Sequence, residues 1–363
     1  ISDTGYSKHV RIYEWNADST IWSQKGSDID GEVAGEESGS SVSLSDDGLT
    51  VVIGAPKNDG TSGSTTDNRG IVRIYKWNNG TSSWDNKGSD INGAAAGDHF
   101  GMSVSISSDG NIVAIGAEGN DSGHVRIYEW SGSSWVQRGE DIDGEADFDS
   151  MGDSVSLSSD GSIVAIGAQE NDGKGSSSGH VRVYEWNGSS WVQRGADIDG
   201  EGAYSRIGTS VSLSSDGSVV ATGGSGGDKR EYSGHVRVYK WSGLSWVQRG
   251  GDIDGEDAGD RSGKSVSLSS DGSIVAIGAI GNDGVNSTDS GHVRVYIWNG
   301  TIWVQRGGDI DGEAPGDHSG FSVSLSSDGN IVAIGARYND GVNSTDSGHV
   351  RVYEWNGSSW VQR

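Results

Sequence analysis

The chain has 363 residues, 61 of them glycine, two proline and none cysteine, with 52 Asp and Glu against 26 Lys and Arg and a formal net charge of −26. Without cysteine there is no disulfide framework and no thiolate metal site. So negative a chain disfavours nucleic acid and anionic membrane surfaces as direct partners, and no apolar run approaches the roughly 20 residues of a membrane span.

In chain order, no signal peptide precedes Ile1, so the chain reads as a processed product or a piece of a longer one. The first elements are "HVRIYEW" from His9 and "IWSQKG" from Ile21, two strand-like runs. A longer unit then recurs, and "SVSLSSDG" or a close variant starts at Ser41, Ser103, Ser154, Ser210, Ser265 and Ser322. Each copy runs into "IVAIGA" or a variant, a Gly/Asn/Asp/Ser-rich stretch of variable length, "GHVRVYEW", "NGSSWVQRG" and "DIDGE". All 14 tryptophans fall in pairs at the ends of the "W-NGSS-W" element, from Trp15/Trp22 to Trp355/Trp360, which leaves none for a singular role.

Each unit reads as four short strands. "SVSLS" alternates small polar and aliphatic residues, "IVAIGA" is a continuous apolar run, and "HVRVYEW" alternates with β-branched and aromatic residues before "WVQRG". Asp-Gly and Asn-Gly supply the hairpin turns because they tolerate positive φ. No sustained 3.6-residue apolar period occurs, so the chain is expected to be all-β. Units of this length that cannot bury both faces alone predict a β-propeller of four-stranded blades, in preference to a β-solenoid. A single domain spanning 1–363 is expected, with a partial blade (third and fourth strands) over 1–36 and six repeats over 37–363. The partial unit predicts seven blades, its first two strands lying upstream or absent; six and eight are the alternatives.

"FGMSVSISSDGNIVAIGA" (100–117) and "SVSLSDDGLTVVIGAPKNDG" (41–60) resemble FG-GAP repeats, the units of the integrin α-chain propeller. Only Phe100-Gly101 keeps the literal Phe-Gly and only Gly54-Ala55-Pro56 keeps the proline. The resemblance implies the propeller fold. Calcium-binding Asp-rich hairpins of integrins are not carried over, because the corresponding turn here is "SSDGS" or "SSDGN" with a single acid such as Asp160 or Asp271.

Successive connections of a meander alternate ends, so the tight "SSDG" and "NGSS" turns share one face, and the long variable loops share the other with "DIDGE". Long loops on a rigid scaffold are where binding resides, and the equivalent integrin face binds ligand. The acids of "DIDGE" recur as Asp28/Asp30/Glu32, Asp141/Asp143/Glu145, Asp197/Asp199/Glu201, Asp252/Asp254/Glu256 and Asp309/Asp311/Glu313, with a degraded copy at Asp90/Asn92/Ala94. Three carboxylates around a glycine bend suit Ca²⁺, which takes six to eight oxygens, and a later acid such as Asp260 or Asp317 adds a fourth. The spacing is not that of an EF-hand. The alternative is a turn whose acids accept backbone N–H bonds and whose isoleucine, as in Ile310, anchors neighbouring blades. The six "GHV" histidines recur at one strand position and read as packing residues, and the "VRV" arginines as partners of acids or of tryptophan rings.

Sequons occur at Asn79, Asn120, Asn187, Asn286, Asn299, Asn343 and Asn356, all in predicted turns or loops, which marks them as candidate glycosylation sites. Nearly every polar residue is a copy of one in another repeat, so no singular catalytic constellation stands out and no enzyme is expected. Two readings follow. One is an extracellular adhesion or ligand-binding module that takes a protein or glycan on its acidic long-loop face, with Ca²⁺ as candidate cofactor. The other is a structural glycoprotein of a cell-surface coat or filament, whose partners are copies of itself.

Overall fold

Where the sequence alternates valine or leucine with serine the chain forms a strand, and where it reads Asp-Gly it turns back. The turn is built by its acid. In each of the six copies the preceding serine Oγ donates to the aspartate at 2.6–2.8 Å, as Ser107 to Asp109 and Ser269 to Asp271. The same carboxylate accepts the N–H two residues on, as Asp271 from Ser273 at 2.9 Å, and the glycine takes positive φ (Gly272, 65°). These acids are committed to the turn, and the hydrogen bond from Ser326 holds Asp328 below the usual carboxylate range.

The computed structural model describes residues 8–60, 66–119, 122–227, 231–284, 288–340 and 346–363. Among them there is no helix. In one sheet Ser103–Ile106, Ile112–Ala117, His124–Trp130 and Trp135–Gln137 pair antiparallel in that order, with Val104 opposite Ile115 and Ile115 opposite Arg126. Sheets of this order begin at Ser41, Ser103, Met151, Ile207, Ser262 and Ser319, and the architecture is a β-propeller with six blades. The fourth strand is interrupted in five of them. After Gln137, for example, the chain leaves the ladder and returns at Ile142–Asp143, which pairs with Val125 and His124.

The expected seventh blade is not found. Residues 9–30 form two separate two-stranded sheets, His9–Val10 with Ile29–Asp30 and Tyr13–Asn16 with Ile21–Gln24. These match the third and fourth strands of a blade, and no first or second strand pairs with them among the described residues.

The chain divides into two compact units, residues 1–164 with 185–192, and residues 165–184 with 193–363. Within each, successive blades close over one another. In the first unit Val52, Val72 and Ile74 pack on Val104, Ile106, Val113 and Ile115 of the next blade. In the second, Val219, Ala221, Val236 and Val238 pack on Val266, Leu268, Val275 and Ile277. Each fully buried valine contributes on the order of 1.5 kcal/mol or more. Contact this close depends on the glycine of "IGA": a Cβ on Gly278 would lie 2.1 Å from the carbonyl oxygen of Gly320 in the following blade.

The outer rim is held by the tryptophan pairs. In each complete blade the second tryptophan donates Nε1–H to a backbone carbonyl of the preceding "QRG", "QKG" or "NKG" segment, as Trp246 to Arg194 and Trp303 to Arg249, both 2.7 Å. The side chains of Arg138, Arg194, Arg249 and Arg306 stack over the first tryptophan of the next pair at 4.8–4.9 Å. Each also donates Nη1 to a turn glycine carbonyl, that of Gly161, Gly217, Gly272 or Gly329. Lys87 occupies the same place, buried between Trp130 and Trp135 and donating to Gly110 O and Asn111 Oδ1.

Burial and the neighbouring Lys76 hold the Lys87 ammonium down to about 8, whereas a guanidinium keeps its charge and a planar face for the rings. A folded-state pKa below the unfolded value means the folded chain binds fewer protons between pH 8 and the ordinary lysine range, so its stability rises with pH there. Lys87→Arg is expected to raise the thermal midpoint at pH 7 by about 2 °C. That advantage should shrink as the pH rises from about 8 to 10, measured by calorimetry on both proteins.

Candidate functional site

The "DIDGE" elements sit where one blade hands over to the next, and the structure sorts their acids into distinct roles. The isoleucines Ile29, Ile142, Ile198, Ile253 and Ile310 are buried. They lie on the returning two-residue strand, which places Asp30, Asp143, Asp199, Asp254 and Asp311 opposite the "GHV" histidines His9, His124, His180, His235 and His292.

The outer two acids are gathered by the "VRV" arginine. Its own blade supplies the first aspartate: Asp28 faces Arg11 at 2.8 Å, Asp141 faces Arg126 at 2.7 Å, Asp252 faces Arg237 at 3.0 Å and Asp309 faces Arg294 at 3.2 Å. A glutamine also donates to each of these acids, and Gln193 donates to Asp197. The preceding connection supplies the glutamate: Glu32 reaches Arg73 at 3.1 Å, Glu201 reaches Arg237 at 3.0 Å, Glu256 pairs with Arg294, and Glu313 lies 3.5 Å from Arg351. The arginine thus ties two successive connections together. Where the glutamate is replaced by Ala94, Arg126 instead lies over the ring of Phe100 at 5.9 Å. Glu145 and Asp143 are exposed, and Asp199 lies 3.6 Å from Lys174. The hydrogen bond from Arg11 holds the Asp28 carboxyl down to about 2, and the one from Arg126 lowers Asp141 likewise.

A fourth acid, four residues beyond the glutamate position, is buried. Asp260 accepts N–H bonds from Glu256 and Asp257, and Asp317 from Glu313, Ala314 and the Asn339 amide. Glu36 fills this place in the first connection, bonded to Arg73 and Asn58, and Ser205 replaces it once, 3.3 Å from His235 Nε2. The sequence marks these acids only as extra ligands; their regular place three residues before the Phe-Gly-type glycine is the available signal.

Among groups that lie wholly within one compact unit, two bring three ligand atoms within 4.8 Å of one another, His9/Asp28/Asp30 and Glu256/His292/Asp309. In both, an arginine already stands at the carboxylates. A metal there would have to displace a guanidinium. Burial also lowers the pKa of His292, which favours the neutral ring.

In the second unit the connection and the long loop enclose a depression of about 250 Å³. Its acidic lining is Glu256, Asp257, Asp260, Asp283, Asp309 and Asp311, and Arg294 offsets part of this charge. The sequon asparagines Asn79, Asn187, Asn299 and Asn356 are exposed on the opposite, tight-turn face, each with its Oδ1 accepting a hydrogen bond within its own turn. Asn120, Asn286 and Asn343 lie outside the described residues.

The FG-GAP repeat family matches at residues 92–133 and 310–353. The chain carries FG-GAP repeats. Each match runs from a "DIDGE"-type connection through the next first, second and third strands. No curated protein matches the sequence. Among solved structures, a putative 6-phosphogluconolactonase from Bacteroides uniformis shares 14% identity and a TM-score of 0.65, over 97% of this chain and 90% of that one. The periplasmic gluconolactonase PpgL of Pseudomonas aeruginosa shares 16% and 0.61, over 99% and 93%. A complex of KlAtg21 with the coiled coil of AgAtg16 shares 14% and 0.59, over 100% and 95%. At such identities the likeness is one of fold.

These neighbours correct one expectation. Repetition of the polar residues was taken to exclude an enzyme, yet proteins named as lactonases have the same fold. Repeated blades therefore do not rule out catalysis.

The arginine bridge has a direct test. Arg237 is 1% exposed between Glu201 and Asp252. Arg237→Gln removes a charge that joins them and is expected to cost about 3 kcal/mol in urea unfolding, as for other broken buried pairs.

Proposed function

We propose that this FG-GAP repeat protein is an extracellular adhesion or ligand-binding module whose acidic loop face takes a basic segment of a partner protein. The observation that carries the reading is the depression lined by Glu256, Asp257, Asp260, Asp283, Asp309 and Asp311, set in a chain of net charge −26. Carboxylates concentrated in a concave site raise the local concentration of cations and steer basic ligands towards it. The KlAtg21 complex supports the reading to the extent that a protein of this fold holds a partner segment.

The structure supports a lysine- or arginine-bearing ligand over Ca²⁺ as the usual occupant. The protein's own Arg294 shows what the carboxylates of Glu256 and Asp309 accept, and Arg11 does the same at Asp28. An arginine-rich peptide is expected to bind with an affinity that falls between 50 and 200 mM salt. Asp257→Asn with Asp283→Asn should weaken it about three- to tenfold. In calorimetric titrations, equal affinity for the double variant would sink the proposal. Thermal midpoints that rise with calcium and fall with chelator would instead favour the metal-dependent form.

The second reading, a glycosylated structural unit, draws on the exposed sequons. Asn187, Asn299 and Asn356 lie in one four-residue turn and Asn79 in its longer counterpart, each at the end of its blade away from that blade's acidic loop, so glycans there would leave the binding loops open. On protein from its natural source, N-glycosidase is expected to reduce the intact mass. An unmodified mass would end the glycoprotein reading.

A further inference from the structure

The tryptophan hairpin of the blade that begins at Ser41 differs from its later counterparts. In those with Trp130/Trp135, Trp241/Trp246, Trp298/Trp303 and Trp355/Trp360, the tryptophans form the last cross-strand pair and a valine stands in the pair before, as Val136 opposite Glu129. Here the hairpin is one pair longer, Asn78 opposite Ser83, and an aspartate takes the valine's place, Asp85 opposite Lys76. Asp85 is held from two sides, since Asn78 Nδ2 and Ser83 Oγ each donate to one of its oxygens at 2.7 Å. Asn79 Oδ1 accepts from Trp77 Nε1 at 2.9 Å, which leaves the amide N–H groups of this exposed residue for other acceptors.

The two residues that follow Asp85 differ as well. Asn86 stands where Gln137, Gln248 and Gln305 donate to the aspartate of their connection; one methylene shorter, it lines a depression instead. Lys87 stands where Arg138, Arg194, Arg249 and Arg306 lay a planar guanidinium over the first tryptophan of the next pair at 4.8–4.9 Å. It brings only an ammonium towards Trp130, 5.5 Å from the ring, and that group is drawn to Gly110 O and Asn111 Oδ1. The depression measures about 500 Å³, lies within the first compact unit, and is lined by Trp77, Trp130, Lys76, Asn79, Asp85 and Asn86. Its size is that of small-molecule sites, about 300–1,000 Å³.

The lining selects its ligand by elimination. An anion is opposed by Asp85 and a cation by Lys76 and Lys87. A wholly apolar ligand would strip water from Asp85 and Asn86 and return no hydrogen bond. A neutral ligand with a flat face of C–H bonds and a rim of hydroxyls meets every demand. Its polarised C–H groups lie against the electron-rich face of an indole, and its hydroxyls donate to a carboxylate and accept from amides. A pyranose with all its hydroxyls equatorial has that shape. We propose that this rim depression is a carbohydrate site for a neutral β-linked saccharide of that type. One ring stacks on Trp130 in the place the guanidinium takes at later blades, and Asp85, Asn79 and Asn86 hold its hydroxyls. The site lies at the tight-turn end of its blade and depends on neither reading of function given above.

The test is a calorimetric titration of the full chain, produced in bacteria so that Asn79 carries no glycan, with cellobiose and with N,N′-diacetylchitobiose. Saturable binding of at least one is expected, and Lys87→Arg should weaken it about tenfold by laying a guanidinium over Trp130. That variant is expected to melt higher than the parent, so unfolding would not explain its loss of binding. Asp85→Val, which installs the residue of the later blades at an exposed position, should weaken binding by a similar factor. Cellobiouronic acid, the same disaccharide with one carboxylate, should bind less well than cellobiose. No saturable binding of either neutral saccharide, or undiminished binding by either variant, overturns the proposal. Tighter binding of the acid also overturns it, by making an anion the occupant.

Discussion

Each blade of this protein has an apolar face that only its neighbour can cover, and the rest of the structure serves that contact. The four-stranded sheet is too thin to bury both of its faces, so valines and isoleucines of the second and third strands must meet those of the next repeat's first and second strands. Approach to that distance requires a strand position without a side chain. Gly54 and Gly278 provide it, each facing a carbonyl of the following blade at a distance no Cβ could tolerate. The Gly-Ala and the Phe-Gly-type glycine of the repeat are thus the two sides of one contact.

Polar groups close the edges of this apolar seam at both ends. Tryptophan pairs and stacked arginines hold the outer rim, while on the loop face an arginine joins an acid of its own blade to one from the preceding connection. These two arginine sets differ in surroundings. The outer ones lie over aromatic rings and donate to carbonyls; Arg11, Arg73, Arg126, Arg237, Arg294 and Arg351 of the "VRV" set face carboxylates. The excess of acid over base on the loop face is what remains after that matching.

Much of the fold could be read from the sequence because the period of the repeat, the two-residue alternation and the Asp-Gly turns all agree. Assignment of Ile310 and its copies as anchors rested on the same alternation. Other features were hidden for physical reasons. The interrupted fourth strand returns for only Ile and Asp, too short for any periodic signal. Pairing between Glu201 and Arg237, or Glu256 and Arg294, joins different repeats and depends on how one blade is set against the next. The three acids of "DIDGE" look equivalent in the sequence, yet one pairs within the blade, one across it and one lies on a strand. The count of seven blades followed from two strands that form separate small sheets, and the exclusion of catalysis came from treating repetition as evidence of a purely structural role.

Near-identity of the repeats also bears on how the chain finds its partners. Ser43, Ser105, Ser212 and Ser267 all offer the same acceptor to the same backbone group, so a blade displaced by one whole repeat would satisfy almost the same bonds. Beyond the short connections that join consecutive blades, what discriminates is the exceptions. Phe100 beneath Arg126, Ser205 in place of a buried acid and Lys87 among arginines each make one junction unlike the others. The irregularities that look like drift in the repeat are, in a folding chain, the addresses that distinguish one neighbour from the next.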